Sequence, residues 1–298
     1  MAEPEAVPLP VLNALGRAAF VALLGNVYEH APWAAEAVWP RRPFATVAAV
    51  LAALGAAVRA ASPETQSALV RGHPDLAGKA ARAGAVTRES AEEQGSAGLD
   101  RLTDEEFAAF HRLSDAYRAR FSHPFIICVR RHTRDSILDE FARRLGNAPE
   151  AERAAALAEI DRIAALRLAA LVTGPGPVAV NGQLSTHVLD TERGVPAAGV
   201  GVELRELRRA GDHRAIWQGA TNASGRTEAP LVAGRPVPIG RYELAFAVGA
   251  YFARRGSIAA DPPFLDIVPV RFAVAEAEGH YHVPLLMTPW SYTTYRGS

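Results

Sequence analysis

The chain has 298 residues, of which 49% are hydrophobic, and its 32 Lys and Arg residues balance its 32 Asp and Glu residues. This length and apolar content are enough for two ordinary globular domains and exclude an intrinsically disordered chain. Because the net charge is zero, charge gives no reason to expect a nucleic acid or an anionic membrane as a partner.

The cysteine content and the apolar stretches indicate a cytoplasmic protein. A single cysteine, Cys128, excludes an internal disulfide and fits a reducing compartment. The first residues include Glu3 and Glu5 and lack the basic cluster of a secretory signal. The most apolar stretch, residues 47–58, is shorter than the roughly 20 residues of a membrane-spanning helix. We therefore expect no membrane partner.

Up to about residue 172, apolar residues recur in steps of three to five, which is typical of amphipathic helices. Ser62 before Pro63 predicts a helix start, because the hydroxyl caps the helix and the proline suits its first position. Thr103 and Glu106 have the spacing of a capping box and predict a second start. A last long helix is predicted from about residue 149 to residue 172. This half is therefore predicted to be all α.

The segment "TGPGPVA", residues 173–179, interrupts this pattern, because alternating prolines and glycines continue neither a helix nor a central strand. Beyond it, apolar residues alternate with polar ones, as in half-buried strands. The clearest alternating stretches are residues 200–204, 242–248 and 268–274. Short strands separated by turns predict an antiparallel β-sandwich.

The predicted fold class is therefore multidomain, with an all-α domain followed by an all-β sandwich. We place the all-α domain at residues 1–173, a Gly/Pro linker at 174–180 and the β domain at 181–298.

Four basic side chains of the β half are candidates for chemistry: His187 in "LSTHVLD", Arg226 in "NASGR", and His280 and His282 in "HYHVPL". Taken singly, each is more often a surface residue or a satisfied core residue than a catalyst. His280 and His282 share a strand face, so a metal pair is one interpretation. No cysteine or acidic cluster lies nearby to complete a coordination sphere, and Arg226 would repel a cation, so we expect no metal.

Taken together, these segments resemble the 5-hydroxyisourate hydrolases, which are transthyretin-related enzymes of urate breakdown. The similarity covers residues 181–298, from "LSTHVLDTERGVPAAGVGVEL" to "HYHVPLLMTPWSYTTYRGS". It implies a homotetramer through the β domains, with the C-terminal tail folded into an active site at a subunit interface. The residues that it places in this site are His187, Arg226, His282 and Ser298 as catalytic, and Tyr295, Arg296 and Gly297 as substrate-binding.

These residue types suit the hydrolysis of a cyclic amide. The reaction needs a water activated near neutral pH and a cation facing the oxygen that gains negative charge. We expect His187 and His282 to orient and deprotonate the water, and Arg226 to stabilise the oxyanion. Which of the two histidines is the base stays open.

In the α half, Ser90, Glu93 and Gln94 have the spacing of one helix face, and His73 precedes a proline in the same region. On composition alone, a solvated face is the favoured interpretation. However, this half resembles the decarboxylases of 2-oxo-4-hydroxy-4-carboxy-5-ureidoimidazoline (OHCU), through "YEHAPWAAEAV", "GHPDLAGK", "ESAEEQGSAGL", "FSHPFIICVRRHT" and "EIDRIAALRLAAL". The resemblance implies His73 and Glu93 as catalytic residues. It implies as substrate-binding residues Pro74, Ser90, Gln94, Ile126 and Arg167.

The implied decarboxylation needs no cofactor, because the conjugated ring of the substrate can hold the electrons that carbon dioxide leaves behind. We expect Arg167 to hold the substrate carboxylate and His73 to act as acid or base. Glu93 and Gln94 would hold the ureido group, and protonation from one face would give (S)-allantoin.

The two resemblances together imply a bifunctional enzyme that converts 5-hydroxyisourate through OHCU to (S)-allantoin. Its partners are then small-molecule substrates and copies of itself, without nucleic acid. One alternative is a transthyretin-like binding protein, and the other is an enzyme in which only one half is active. The complete sets of site residues in both halves speak against these alternatives.

Overall fold

The computed structural model of the chain describes residues 6–76, 95, 99, 102–209, 211–257 and 261–297. The chain divides into two compact units. One consists of Met1–Arg130 with Ile137–Val180, and the other of Arg131–Ser136 with Asn181–Ser298. The first is rich in helices and the second in strands, so the predicted fold class is confirmed.

The α-helices of the described residues are numbered here in chain order. They are α1 (Leu9–Ala14), α2 (Arg17–Leu24), α3 (Pro32–Val38), α4 (Val47–Ala60), α5 (Pro63–Arg71), α6 (Asp104–Phe121), α7 (Arg134–Arg144), α8 (Pro149–Leu171) and α9 (Val248–Arg254). Short 3-10 helices lie at Trp39–Arg41 and Val129–Arg131.

The predicted helix starts are confirmed by their capping contacts. The N–H of Glu106 donates to the hydroxyl of Thr103 at 3.2 Å, and the N–H of Thr103 donates to the Glu106 carboxylate at 2.8 Å. At α5, the hydroxyl of Ser62 accepts from the N–H of Thr65 at 3.2 Å. These contacts satisfy backbone donors that a helix leaves without a partner in its first turn.

The Gly/Pro segment after α8 packs on the first unit. The carbonyls of Pro175 and Gly176 accept from the first N–H groups of α4, those of Val47 and Ala48, at 3.0 Å each. Gly176 has a φ of 55°, and a Cβ there would lie 2.7 Å from Cβ of Thr46. The segment therefore caps a helix instead of serving only as a spacer.

The described residues of the first unit form two apolar clusters. One joins α1 to α5 with α8, and the other joins α6, α7 and the segment before the second 3-10 helix around Phe110, Tyr117 and Phe141. Among the described residues no single helix is long and apolar enough to cross a membrane; only α4 and α5 taken as a pair, bent by 112°, would pass by length and composition.

The strands of the first unit are β1 (Val7–Pro8) and β2 (Val172–Thr173). Those of the second unit are β3 (Gly182–Ser185), β4 (Val188–Asp190), β5 (Val195–Pro196), β6 (Gly201–Leu207), β7 (His213–Ala220), β8 (Val232–Arg235), β9 (Gly240–Ala247), β10 (Ile267–Val274), β11 (His280–His282), β12 (Leu285–Met287) and β13 (Tyr292–Thr294).

The second unit is a sandwich. One sheet has the strand order β10-β9-β6-β7, and opposite it lie the sheets β11-β3-β8 and β13-β12-β4-β5. The core between them gathers inward side chains from both sides, including Leu184, Leu244, Phe246 and Leu285. The prediction of an antiparallel sandwich is wrong for two strand pairs, because β3 and β4 pair in parallel with β11 and β12. This pairing brings the "LSTHVLD" segment beside the "HYHVPL" segment.

Candidate active sites

In the first unit, His73 lies just after the C-terminal end of α5 and is only 8% exposed. Its Nδ1 lies 3.4 Å from Oε2 of Glu29, which is 5% exposed. Its Nε2 is buried and makes no hydrogen bond within the part of the chain that the structure describes. A buried imidazole nitrogen of this kind can exchange a proton with a bound molecule.

Arg167, on α8, approaches the same carboxylate oxygen from another direction. Its Nη2 donates to Oε2 of Glu29 at 3.1 Å, and its Nη1 donates to the carbonyl of Asn26 at 3.2 Å. The side chain is buried, and a buried guanidinium requires a counter-charge of this kind. The structure thus brings His73 and Arg167 together through Glu29.

Ile126 belongs to a buried segment that is fixed from two sides. Its carbonyl accepts from Nη1 of Arg144 at 2.7 Å, and the N–H of Cys128 donates to the Glu159 carboxylate at 2.9 Å. Ile126 shares the larger apolar cluster with α5 and α8, and Pro74 is half-buried next to His73. Ser90, Glu93 and Gln94 lie outside the described residues.

Glu29 was missed by the sequence analysis, although it stands in the "YEHAPW" segment that carries part of the resemblance. The sequence feature that could have indicated it is an acidic residue that stands between the apolar residues of α2 and those of α3. Such a residue is rarely buried unless it has a partner.

In the second unit, a cavity of about 320 Å³ opens beside β3 and β11. The two strands are in register, with His282 opposite Ser185 and His280 opposite Gln183. Since side chains alternate along a strand, these four point to one face and line the cavity. The remaining lining residues are Thr186, Arg226, Thr227, Glu228, Ala229 and Pro230.

Arg226 reaches the cavity from a turn that Asn222 builds. The side-chain oxygen of Asn222 accepts from the N–H groups of Ser224 and Arg226 at 3.0 and 3.2 Å. Gly225 has a φ of 72°, and a Cβ there would lie 2.3 Å from the carbonyl of Val188. Only glycine fits so close to β4, so this turn sets Arg226 beside His187, with which it forms an isolated β-bridge.

His187 stands between β3 and β4 and does not line the cavity in the single chain. Its Nε2 is buried without a hydrogen-bond partner among the described residues. Burial, and next the charge of Arg226, hold the pKa of His187 below its ordinary value. The imidazole is thus favoured in the neutral form that can accept a proton.

His282 is half-buried, and its Nδ1 lies 3.0 Å from the hydroxyl of Ser185. Burial, and then the positive charge of Arg226, lower the pKa of His282, with smaller contributions from His187 and His280. Ser185 is the second residue that sequence analysis missed. Only its place two residues before His187 in "LSTHVLD" pointed to it.

The C-terminal tail returns along the strands that carry His282. After β13 pairs with β12, the N–H of Gly297 donates to the carbonyl of His282 at 2.8 Å. The guanidinium of Arg296 lies 4.9 Å from the ring centre of Tyr281, and Tyr295 is 57% exposed. These three tail residues do not line the cavity of the single chain, and Ser298 lies outside the described residues.

The second site therefore combines two imidazoles with lowered pKa values and one permanent cation. Such a set can activate water and stabilise an oxyanion. In the described part of the chain, no group of three or more His, Cys, Asp or Glu side chains is arranged to hold a metal ion.

Two family models match the chain. The one described as OHCU decarboxylase matches residues 13–169, and the one described as HIUase/Transthyretin family matches residues 184–297.

Relatives of each half are found among known proteins. The 5-hydroxyisourate hydrolase of Deinococcus radiodurans is 57% identical over 117 residues, which are 39% of this chain and 95% of that protein. The 2-oxo-4-hydroxy-4-carboxy-5-ureidoimidazoline decarboxylase of Amia calva is 41% identical over 164 residues, which are 55% of this chain and 94% of that protein.

One solved structure matches both halves at once. The crystal structure of an (S)-allantoin synthase is 33% identical, with a TM-score of 0.53, and the match covers 98% of this chain and 100% of that one.

Proposed function

The chain belongs to the OHCU decarboxylase family through residues 13–169 and to the HIUase/transthyretin family through residues 184–297, and on this premise we propose how its residues divide the chemistry. It is a bifunctional enzyme of urate catabolism. The C-terminal domain hydrolyses 5-hydroxyisourate to OHCU, and the N-terminal domain decarboxylates OHCU to (S)-allantoin.

For ring hydrolysis, we propose that water adds to the ring carbonyl beside Arg226. His282 or His187 takes a proton from the water, and the resulting oxyanion faces the Arg226 guanidinium. The carbon–nitrogen bond of the ring then breaks, and the imidazolium returns its proton to the leaving nitrogen. The observation that carries this proposal is the cavity in which Arg226 and His282 face the same space.

For decarboxylation, we propose that Arg167 binds the substrate carboxylate beside His73. As carbon dioxide leaves, the electron pair of the broken carbon–carbon bond passes into the conjugated ring. The ring nitrogen that receives the electron pair takes a proton from water. Nε2 of His73 takes the proton of the hydroxyl group on the carbon that lost carbon dioxide, which becomes a carbonyl, and returns it to the neighbouring ring carbon. Delivery from one face gives the (S) product. Glu93, Ser90 and Gln94 would hold the ureido group, and Pro74 and Ile126 would line the pocket. The close approach of buried His73 and Arg167 to one carboxylate carries this proposal.

Paired substitutions test this division. His73→Ala should abolish formation of optically active allantoin, followed by circular dichroism, and leave the ultraviolet decay of fresh 5-hydroxyisourate unchanged. His282→Ala should slow that decay and leave decarboxylation of supplied OHCU intact. Loss of both activities in one variant would contradict the proposal and support the alternative that only one half is active. Retention of both activities would contradict the role proposed for the substituted histidine.

We further propose that the enzyme is a homotetramer through its β domains, with Tyr295 to Ser298 completing the hydrolase site at a subunit interface. Trp290 and Tyr292, beside the tail, are 60% and 43% exposed in the single chain, and Arg226 is exposed as well. Large exposed aromatic residues are typical of protein interfaces. Analytical ultracentrifugation should give a tetramer, and Trp290→Glu should dissociate it and lower hydrolysis. A fully active monomer would contradict the assembly.

A cytoplasmic location is also part of the proposal. The chain has a single cysteine, Cys128, which is buried and cannot form an internal disulfide, and this fits a reducing compartment. Cell fractionation with the native protein would test this expectation.

A further inference from the structure

Glu29 joins the two basic side chains of the first site. Its Oε2 lies 3.4 Å from Nδ1 of His73 and 3.1 Å from Nη2 of Arg167. All three residues are less than a tenth exposed, so solvent does not screen these contacts as it does at a surface. One carboxylate therefore holds the group proposed for proton transfer and the group proposed for substrate binding.

The backbone around Glu29 is itself held against α8 at two points. The hydroxyl of Tyr28 donates to the carboxylate of Asp161, and the carbonyl of Asn26 accepts from Arg167. Tyr28 and Ala31 are each 1% exposed. The position of Glu29 is thus fixed by packing on both sides, as the support of a catalytic group requires.

The contact with Glu29 determines which ring nitrogen of His73 carries the proton and which can accept one. An imidazole beside a carboxylate keeps its proton on the nitrogen that faces the carboxylate. Nδ1 of His73 then carries the proton, and Nε2 presents its lone pair. Nε2 is the atom that is buried without a hydrogen-bond partner among the described residues. The contact with Glu29 and the available nitrogen therefore lie on opposite sides of one ring.

We propose that Glu29 is a positioning residue for the decarboxylation. It fixes the Nδ1–H tautomer of His73 and sets the distance between His73 and Arg167. This inference rests on the proposed assignment of His73 and Arg167 to the decarboxylase site. Glu29 does not itself touch the reacting atoms, so its removal acts on kcat through the orientation of His73.

Glu152 offers a matched control in the same unit. It is fully buried and accepts hydrogen bonds from Nε of Arg144 at 2.9 Å and from Tyr117, and none of its contacts is with His73 or Arg167. Glu152→Gln should lower the melting temperature and should lower kcat far less than Glu29→Gln does, because Glu152 reaches the proposed site only through Arg144 and the carbonyl of Ile126. It measures what the loss of a buried carboxylate does when that carboxylate contacts neither His73 nor Arg167.

The test uses the full-length protein with OHCU supplied directly. Glu29→Gln should lower kcat by about 10- to 10,000-fold, the range spanned when a carboxylate that orients a histidine is changed, while KM changes much less. Glu29→Asp keeps the charge and should recover part of the loss.

NMR of protein labelled with 15N-histidine tests the tautomer directly. The signal of His73 is the one that disappears in His73→Ala. In the wild type this signal should show the ring proton on Nδ1, and in Glu29→Gln the proton should no longer favour Nδ1.

Two results would overturn the role of Glu29. One is a wild-type kcat in Glu29→Gln, and the other is a loss that Glu152→Gln matches at an equal fall in melting temperature. Retention of decarboxylation by His73→Ala is a different failure, because it removes the site assignment itself. Hydrolysis of 5-hydroxyisourate by every variant checks that the β unit is intact.

Discussion

The positive charge of Arg226 lowers the pKa of both histidines of the proposed hydrolase site. Burial is the larger cause of their lowered pKa values, and Arg226 is the next. With pKa values below the ordinary 6.5, both rings stay neutral to a more acidic pH than a free histidine does. A general base must be neutral, so the guanidinium that we propose to stabilise the oxyanion also favours the neutral form of the proposed bases.

Replacing Arg226 should therefore raise the pKa of both histidines. In Arg226→Gln, the nearby cation that opposes protonation is gone, and the NMR titrations of His187 and His282 should move to higher pH. The acid limb of wild-type kcat/KM for hydrolysis should accordingly lie below pH 6.5. If the pKa values of His187 and His282 are the same in Arg226→Gln as in the wild type, burial alone lowers them.

The lowered pKa values of His187 and His282 also predict how the free energy of unfolding depends on pH. The unfolded chain binds protons at these two positions more readily than the folded chain does. The two groups should thus support folding above pH 6.5 and lose that contribution as the pH falls through their folded pKa values. Denaturant unfolding of the β unit between pH 7 and pH 5 should show this loss, and the loss should shrink in His187→Gln.

The hydroxyl of Ser185 should matter for hydrolysis, because it is the described partner of Nδ1 of His282. Ser185→Ala removes one hydrogen bond of roughly 1 kcal/mol and should lower kcat of hydrolysis by about tenfold or less. Ser185→Thr keeps a hydroxyl and should retain more activity. Equal activity in the alanine and threonine variants would indicate that His282 is oriented by its packing.

Gly297 should not tolerate a side chain. A Cβ at this position would lie 2.7 Å from Cδ2 of His282, so Gly297→Ala must move the imidazole or the tail. We expect a large loss of hydrolysis with decarboxylation unchanged, measured on the same sample. Unchanged hydrolysis would mean that the tail shifts without disturbing His282.

At the scale of elements, the Gly/Pro segment shows how a connection contributes to stability. Gly176 has a positive φ and lies against Thr46, so Gly176→Ala meets both backbone strain and a close contact. Its carbonyl also accepts from the N–H of Ala48 at the start of α4. We expect a destabilisation of about 1–3 kcal/mol, measured as the free energy of unfolding of the α unit. Gly16→Ala, where a Cβ would meet nothing within 4 Å, is the control.

Periodicity and capping residues predicted these elements well. The capping box at Thr103 and the end of α8 near residue 172 were both found. Local signals suffice there because a helix is stabilised by contacts within a few residues. The capping role of residues 175 and 176 had no such signal, because their partners are more than a hundred residues earlier in the chain.

At the scale of the molecule, a single chain carries both domains. Linking two modules raises the effective concentration of one around the other, which favours the capture of a labile intermediate. The wild type should therefore form (S)-allantoin with a shorter lag than an equal mixture of full-length His73→Ala and His282→Ala proteins. Equal lag and equal loss of intermediate would count against any benefit of fusion.

The sequence by itself determined the two fold classes and the reactions. The spacing of apolar residues is helical in the first half and alternating in the second, and this predicts the fold classes. The motifs around His73, Arg226 and His282 are short contiguous stretches, so their resemblance to known families can be recognised from the sequence. All assignments of roles to site residues stay predictions, and Ser90, Glu93, Gln94 and Ser298 also lie outside the described part of the chain.

Only the tertiary structure decided which side chains support the proposed catalysts. Glu29 and Arg167 are 138 residues apart, and Ser185 and His282 are 97 apart. Contacts at such separations depend on how helices pack and on which strands lie in register, and no local pattern records them. The sequence thus predicted the groups that are proposed to meet the substrates, and only the folded chain brings the carboxylate of Glu29 and the hydroxyl of Ser185 into contact with them.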